Sequence, residues 1–97
     1  MTDIVMSIWK FPLSITDFQT VKMPSNSRVL TVQVQKRKLY VWAMVNPRNL
    51  TQIDYPFWIH GTGLPIEETQ IQTVRYVSTV SMDDGALMLH VFVGLDA

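Results

Sequence analysis

The chain has 97 residues, with eight Lys and Arg against eight Asp and Glu, and no cysteine. Its length suits a single domain, and 47% apolar residues with zero net charge exclude a disordered chain and argue against general nucleic-acid binding. The lack of cysteine excludes disulfides, thiolate nucleophiles and cysteine-ligated metals.

The apolar residues recur with a period of two rather than 3.6, and turn residues recur about every ten positions. This pattern predicts an all-β domain of about seven antiparallel strands, folded as a small sandwich or open barrel with little helix. Residues 1–97 are expected to form this one domain, and a start at Met6 would make residues 1–5 a flexible leader.

The N-terminal part of the chain contains two predicted strands before its first strong turn. The first spans residues 4–11 and is closed by Pro12, because proline cannot continue a strand ladder. The second spans residues 18–23, where apolar and polar positions alternate. The turn that follows, at residues 24–27, is rich in Pro, Ser and Asn.

The clearest alternation in the chain follows this turn and predicts a half-buried strand. Its two predicted faces are Leu30, Val32 and Val34 on one side and Thr31, Gln33 and Gln35 on the other. The next three residues are Lys36, Arg37 and Lys38. Mutual repulsion of these charges favours an exposed hairpin tip, and a phosphate contact is the alternative interpretation.

The middle of the chain combines an apolar strand with a long irregular stretch. Residues 39–45 are apolar on both faces, which predicts a central strand with both faces covered. Residues 46–56 form the longest non-periodic stretch and are predicted to be a loop, of the kind that often carries function. Residues 57–60 are predicted to be a strand that ends at the glycines of 61–63.

The C-terminal part is predicted to contain one helical turn and a hairpin. Residues 64–70 have Pro65 and two glutamates where a first helical turn favours them. Residues 74–82 are strand-like. The turn signal at residues 83–85 and the apolar run of residues 86–93 complete the hairpin. In the first of these strands, the residues predicted to share one face are Val74, Tyr76, Ser78 and Val80.

Several features bear on the surroundings of the protein. The longest apolar runs have about eight residues, whereas a membrane-spanning helix needs about 20. The first six residues lack the basic region of a signal peptide. We therefore expect no membrane partner. Because only 16% of the residues are charged, we expect a second copy to cover apolar surface in a homo-oligomer.

The histidines are the only candidate metal ligands apart from carboxylates. His60 and His90 each lie in a predicted strand, and Asp54 or Asp96 would have to complete a metal site if those strands were neighbours. The spacing is not that of a regular metal motif, so a structural or ligand-contacting role is favoured. We expect neither a metal nor a cofactor.

No catalytic motif is recognisable. Ser78, Thr79 and Ser81 lie on a predicted strand, without a nucleophile elbow. The paired carboxylates at 67–68 and 83–84 lie at chain reversals, where solvated side chains are usual. The Gly61-Thr62-Gly63 turn lacks the remaining elements of a dinucleotide or P-loop motif, although its backbone N–H groups and Thr62 could hold an anion. The sequence therefore favours a protein that is not an enzyme.

The aromatic residues provide the strongest indication of a binding site. The chain has three Trp, three Tyr and four Phe, and the alternation places Tyr40 with Trp42 on one face and Trp58 with His60 on another. Such rings near arginines would suit a planar anionic ligand, a subunit interface or a second layer of the core. The predicted ligand-binding residues are Tyr40, Trp42, Arg48, Trp58, His60, Thr62, Arg75 and His90.

Several strings resemble a known family. They are Ile8-Trp9-Lys10-Phe11, Val32-Gln33-Val34-Gln35, Val41-Trp42-Ala43-Met44-Val45-Asn46-Pro47, Ile59-His60-Gly61-Thr62-Gly63-Leu64-Pro65-Ile66, Tyr76-Val77-Ser78-Thr79-Val80 and Leu89-His90-Val91-Phe92. Their order and spacing resemble small proteins of tailed bacteriophages and prophages that have no settled activity. The resemblance covers the chain from Met6 onward. It implies an accessory protein acting in the cytoplasm of the bacterial host.

With this resemblance, the predicted function is that of a non-enzymatic phage protein that counteracts bacterial immunity by sequestering a nucleotide-derived immune signal. The link to host defence rests on genome context and protein size. The first alternative is an inhibitor that binds a host defence protein through the same aromatic residues, as anti-CRISPR proteins do. The second alternative is a component of the virion or of its assembly.

Overall fold

Two antiparallel sheets face each other as an open sandwich in the computed structural model, which describes residues 3–95. The seven strands of the described chain are β1 (Ser7–Leu13), β2 (Phe18–Pro24), β3 (Arg28–Gln35), β4 (Lys38–Val45), β5 (Gln52–Gly61), β6 (Val74–Met82) and β7 (Leu87–Gly94). One sheet has the strand order β1-β4-β3 and the other β2-β5-β7-β6. The predicted all-β fold is confirmed. A short helix α1 (Glu68–Ile71) overlaps the predicted helical region of residues 64–70 and ends one residue beyond it.

The core lies between the two sheets and is built from alternate residues of their strands. In β4, every second residue from Leu39 to Val45 is buried, and in the facing sheet the same holds for Phe57 to Ile59 and for Leu89 to Val93. Each fully buried side chain of this size contributes about 1.5–3 kcal/mol. The period-two alternation therefore determines which face of each sheet packs inward.

The sandwich is joined along one edge, where β3 lies beside β6. The Ser78 hydroxyl accepts a hydrogen bond from the N–H of Val32 at 2.9 Å and lies 3.1 Å from the Thr31 hydroxyl. The Arg75 guanidinium donates to the carbonyl of Val29 at 3.1 Å. These polar contacts link two edge strands that belong to different sheets.

The first strand differs from its prediction at both ends. It begins at Ser7 rather than at residue 4, and it continues through Pro12, which is paired with Tyr40 of β4. Because β1 is an edge strand, a proline there need not interrupt a ladder on its other side. Residues 3–5 of the predicted leader lie outside the strands with exposed side chains, and residues 1 and 2 lie outside the described residues.

The predicted loop at residues 46–56 is wrong in its second half, because β5 begins at Gln52. This strand pairs with β2 from Gln52 onward, but its ladder with β7 begins only at Phe57. Pro56 lies next to the end of that second ladder, so its missing N–H removes none of those hydrogen bonds. A proline therefore occurs in a central strand one residue beyond the last paired position of the ladder with β7.

A bulge in each strand changes the predicted faces of β3 and β6, in β3 at Leu30 only. In β3 the register shifts between Val29 and Thr31, so Leu30 is the extra residue and is 38% exposed, whereas Val29 is buried. In β6 the register shifts between Tyr76 and Ser78. As a result Tyr76 does not share a face with the buried Ser78.

The hairpin predictions are confirmed. Lys36 and Arg37 form the tip between β3 and β4, with φ of 51° and 66°. The turn at Asp83–Gly85 joins β6 to β7. The prediction that both faces of β4 are covered is wrong. Its outward side chains, among them Tyr40 and Trp42, are half-buried by neighbours in their own sheet.

Candidate functional site

The outer face of the four-stranded sheet carries one aromatic residue from each strand, in a single cross-strand row. Phe18 of β2 is opposite Trp58 of β5, Trp58 is opposite Phe92 of β7, and Phe92 is opposite Tyr76 of β6. Their sequence neighbours in β5 and β7 point into the core, so alternation directs these rings outward. We call this row, together with His60 and His90, the aromatic face.

The rings of the aromatic face pack against one another, edge-to-face around Phe92 and tilted in the other pairs. Phe92 and Tyr76 have centroids 5.2 Å apart at an interplanar angle of 89°, and His60 stands edge-on to Phe92 at 5.9 Å. Phe18 and Trp58 have centroids 5.1 Å apart. Such pairs contribute about 0.5–1.5 kcal/mol beyond their burial, so the surface is formed before anything binds. Phe18 and Tyr76 are nevertheless 51% and 47% exposed.

His90 is held by hydroxyl groups on both of its ring nitrogens. Its Nε2 lies 2.7 Å from the Thr62 hydroxyl. Its Nδ1 lies 3.0 Å from the hydroxyl of Tyr76 and 3.2 Å from that of Thr79. These contacts fix the imidazole ring and orient the Tyr76 hydroxyl at the edge of the aromatic row.

His60 lies directly opposite His90 in the ladder between β5 and β7. Its Nε2 is buried and has no hydrogen-bond partner within residues 3–95. A buried polar atom without a partner costs about 1–3 kcal/mol. His60 therefore has unused hydrogen-bonding capacity beside the aromatic row.

The hydroxyl–imidazole contact between Thr62 and His90 resembles part of a catalytic triad but lacks its orienting group. In a triad, a carboxylate accepts the proton of the second imidazole nitrogen and stabilises the imidazolium that forms. Here that nitrogen faces the hydroxyls of Tyr76 and Thr79. The network is suited to holding side chains in place and to hydrogen bonding, rather than to activating Thr62 as a nucleophile.

Among the outward ladder positions described within residues 3–95, those of the aromatic face and those directly beside it carry no carboxylate, ammonium or guanidinium group. By the register of the ladders, the outward positions there are Phe18, Trp58, His60, Thr62, Tyr76, Thr79, Ser81, Met88, His90 and Phe92. The nearest charges along β2 and β5 are Lys22 and Asp54, which form a salt bridge of 3.0 Å. Recognition at this surface therefore depends on apolar contact and neutral hydrogen bonds.

The eight predicted ligand-binding residues do not form one site. Trp58, His60, Thr62 and His90 lie together on the aromatic face, as the alternation predicted for Trp58 and His60. Tyr40, Trp42, Arg48 and Arg75 lie elsewhere. The structure separates these residues because side chains on opposite outer faces of a sandwich have its core between them.

Tyr40 and Trp42 lie on the outer face of the three-stranded sheet, with ring centroids 6.0 Å apart. The Arg75 side chain is directed away from the aromatic face, because its guanidinium bonds to Val29 across the joined edge. Arg48 lies in the loop before β5, at the end of that strand opposite to His60. The predicted combination of aromatic rings with a guanidinium is therefore not formed on the aromatic face.

Sequence reasoning missed four members of this surface: Phe18, Tyr76, Thr79 and Phe92. Phe92 could have been found, because it alternates with the buried Val91 and Val93 in an obvious strand. Tyr76 and Thr79 could not, because the bulge between Tyr76 and Ser78 reverses the faces predicted by strict alternation.

Within residues 3–95, no group of three or more His, Asp or Glu side chains is arranged to hold a metal ion. Asp54 is paired with Lys22, and Asp96 lies outside the described residues. None of the helices described is long and apolar enough to cross a membrane.

Comparison with known proteins gives one result. A family model described as a domain of unknown function, DUF7352, matches residues 5–97 of the chain. No curated protein and no solved structure matches it.

Proposed function

The chain belongs to the DUF7352 family, and on that premise we propose that it is a non-enzymatic binding protein whose aromatic face docks on another protein. The observation that carries this proposal is the cross-strand row of Phe18, Trp58, Phe92 and Tyr76 on an uncovered sheet face. The proposed activity is occlusion of a partner's surface rather than chemistry on a substrate.

The composition of the aromatic face supports a protein partner. The centres of protein–protein interfaces are enriched in Trp, Tyr, Phe and Met and depleted of Lys, Glu and Asp. The outward positions around the row include Met88 and carry none of these charged side chains. Anchors of this kind supply most of the binding free energy when they enter pockets of a partner.

The ring geometry supports the same partner class over a flat stacked ligand. Phe92 stands nearly perpendicular to both Tyr76 and His60. Rings that already pack edge-to-face offer a ridged surface, into which the side chains of another protein can interdigitate. The ridges are rigid, so little side-chain entropy would be lost on binding.

The biological setting is proposed from the sequence resemblance to small phage proteins. In that setting the partner is a bacterial defence protein, and the chain acts as its inhibitor in the host cytoplasm. The Thr62–His90 contact, which lacks an orienting carboxylate, supports inhibition by contact over catalysis.

The test compares capture of host proteins by three baits purified from infected or expressing bacteria. The baits are the native chain, the double variant Phe18→Ala with Tyr76→Ala, and a control with Leu50→Ala and Ile71→Ala. The control side chains are also exposed, at 88% and 52%, but lie away from the aromatic face. We expect one stoichiometric protein to be retained by the native and control baits and lost by the aromatic variant. Equal retention by all three baits would contradict the proposal.

A second candidate function is sequestration of a nucleotide-derived immune signal, and it is favoured by the hydrogen-bonding groups beside the aromatic row. The exposed hydroxyls of Thr62 and Thr79 could hydrogen-bond the edge of a base that contacts Trp58. Because Arg75 is engaged with Val29, the phosphates of such a ligand would remain in solvent.

Thermal unfolding with a panel of cyclic and linear nucleotides tests this second candidate. A ligand at 100 times its dissociation constant stabilises the folded state by about 2.7 kcal/mol. We expect a matching nucleotide to stabilise the native chain and not the Trp58→Ala variant. Native mass spectrometry of protein from infected cells would show the retained nucleotide directly. If no nucleotide of the panel stabilised the chain, nucleotide sequestration would be contradicted and docking on a protein would remain as the proposed function.

A further inference from the structure

The chain segment before β1 exposes a continuous run of apolar side chains. Ile4 and Val5 are each 74% exposed, Met6 is 41% exposed, and Ile8 at the start of β1 is 58% exposed. We call residues 3–6 the arm. Isolated apolar residues are common on protein surfaces, but a contiguous run of this kind marks an interaction site.

The arm leaves β1 beside an apolar groove on the outer face of the three-stranded sheet. Its apolar lining comes from Ile8 of β1, Trp42 of β4, and Leu30 and Val34 of β3, and its polar lining from Thr31, Gln33 and Gln35. The bulge in β3 exposes Leu30. The groove and the arm thus meet at Ile8, on the side of the sandwich opposite to the aromatic face.

The charges around the groove are complementary to the charge of the arm. Arg28 lies in one cross-strand row with Met44 and Ile8, and the arm begins with Asp3. The other cation of this face, Lys10, already bonds to Gln35 at 2.6 Å and lies 4.5 Å from the centre of the Tyr40 ring. Among the described residues, the only salt bridge is that of Lys22 with Asp54, so Asp3 and Arg28 are unpaired there.

We propose that two copies of the chain pair through their three-stranded sheets, with the arm of each copy lying in the groove of the other. Ile4 and Val5 would cover Trp42 and Leu30 of the second copy, and Asp3 would face its Arg28. A two-fold arrangement makes both contacts twice, because each copy brings one arm and one groove.

The exposed apolar area is large enough for pairing with a second copy of the chain. The arm, Ile8 and Leu30 expose about 500 Å² in each copy, so pairing would bury on the order of 1,000 Å², which is near the lower size of a specific interface. The arm does not cover its own groove in the structure, since its side chains are exposed. A second copy of the chain supplies one arm for each groove.

Sedimentation equilibrium of the full chain and its variants tests the proposal. We expect the native chain to be a dimer at roughly 100 µM, and a variant without Ile4, Val5 and Met6 to be a monomer. Arg28→Glu and Asp3→Lys should each weaken dimerisation by about tenfold, because an attraction becomes a repulsion. The combination of both substitutions should restore it.

Two controls separate this interface from other surfaces. Arg48→Glu removes a cation that lies in the loop before β5, and should leave dimerisation unchanged. Phe18→Ala with Tyr76→Ala alters the aromatic face and should also leave it unchanged, so the proposed function and this interface can fail separately. A native chain that stays monomeric, a dimer that survives loss of the arm, or a double charge variant that remains as weak as the single ones would overturn the proposal.

Discussion

The Ser78 hydroxyl accepts a hydrogen bond from the backbone N–H of Val32 at 2.9 Å, and both groups are buried. Val32 lies in β3, at the edge of the three-stranded sheet, and Ser78 lies in β6, at the edge of the other sheet. The hydroxyl therefore satisfies a backbone donor that a neighbouring strand would otherwise have to satisfy. One side chain thus links the two sheets of the sandwich.

Ser78→Ala should lower the free energy of unfolding by about 1–3 kcal/mol, because the N–H of Val32 would be buried without a partner. Urea denaturation followed by tryptophan fluorescence measures this change. Ser81→Ala is the matched control, since Ser81 lies on the same strand but is exposed, and it should change stability by less than about 0.5 kcal/mol. Equal stability of the two variants would show that the contact does not stabilise the fold.

Tyr55→Phe should be destabilising by a comparable amount. The buried Tyr55 hydroxyl accepts a hydrogen bond from the N–H of Ser27 at 2.9 Å and donates one to the carbonyl of Pro24 at 3.0 Å. Its removal loses two buried hydrogen bonds, each of about 0.5–1.5 kcal/mol. The Pro24 carbonyl still accepts from the Ser27 hydroxyl at 2.6 Å and from the Ser27 N–H at 3.2 Å. Tyr40→Phe, on a half-buried outer position, is the control in the same denaturation experiment. If only Tyr40→Phe lowered the free energy of unfolding, the stabilising role of the Tyr55 hydroxyl would be contradicted.

Gly94→Ala should destabilise the protein because β7 approaches Pro56 closely at this position. A Cβ at residue 94 would lie 2.8 Å from Cγ of Pro56, whereas one at Gly61 would lie 3.5 Å from the Leu64 side chain. We expect Gly94→Ala to cost about 1–3 kcal/mol and Gly61→Ala much less. Adding Pro56→Ala should recover part of the loss. Failure of this rescue would assign the cost to something other than the contact with Pro56.

Lys36→Asn combined with Arg37→Gly should stabilise the protein. Both residues have positive φ, which costs a side-chain-bearing residue about 1–2 kcal/mol, whereas Asn and Gly adopt this turn readily. After the entropic cost of glycine, we expect a gain of about 1 kcal/mol in thermal unfolding. Arg37→Ala removes the charge but keeps the strained backbone, and should give no gain. If it stabilised equally, charge repulsion would be the cause.

The pattern of buried and exposed residues was predictable wherever a strand is regular. In β4 and β7 the alternation from Leu39 to Val45 and from Leu89 to Val93 places each side chain on its observed face. The prediction failed at Leu30 and at Tyr76, because a bulge inserts one residue and the two sides of the bulge then no longer follow a single alternation.

The candidate site was predictable only in part. The sequence places Trp58 and His60 on one face, but it carries no information on which strand lies beside theirs. Pairing of β5 with β7 brings His90 and Phe92 to these residues, and the distant β2 supplies Phe18. The predicted contribution of Arg75 to this face is not seen, because its guanidinium bonds to Val29 across the joined edge.

The sequence by itself determined the β class, the inward and outward positions of its regular strands, and the hairpins at Lys36-Arg37 and at Asp83–Gly85. These features depend on local sterics and on period-two burial, which neighbouring residues along the chain control. Only the tertiary structure decided the strand order, the two bulges and the separation of Trp42 from Trp58 onto opposite faces. These depend on contacts between residues far apart in the chain, and the free energy of such contacts is not encoded in any one segment.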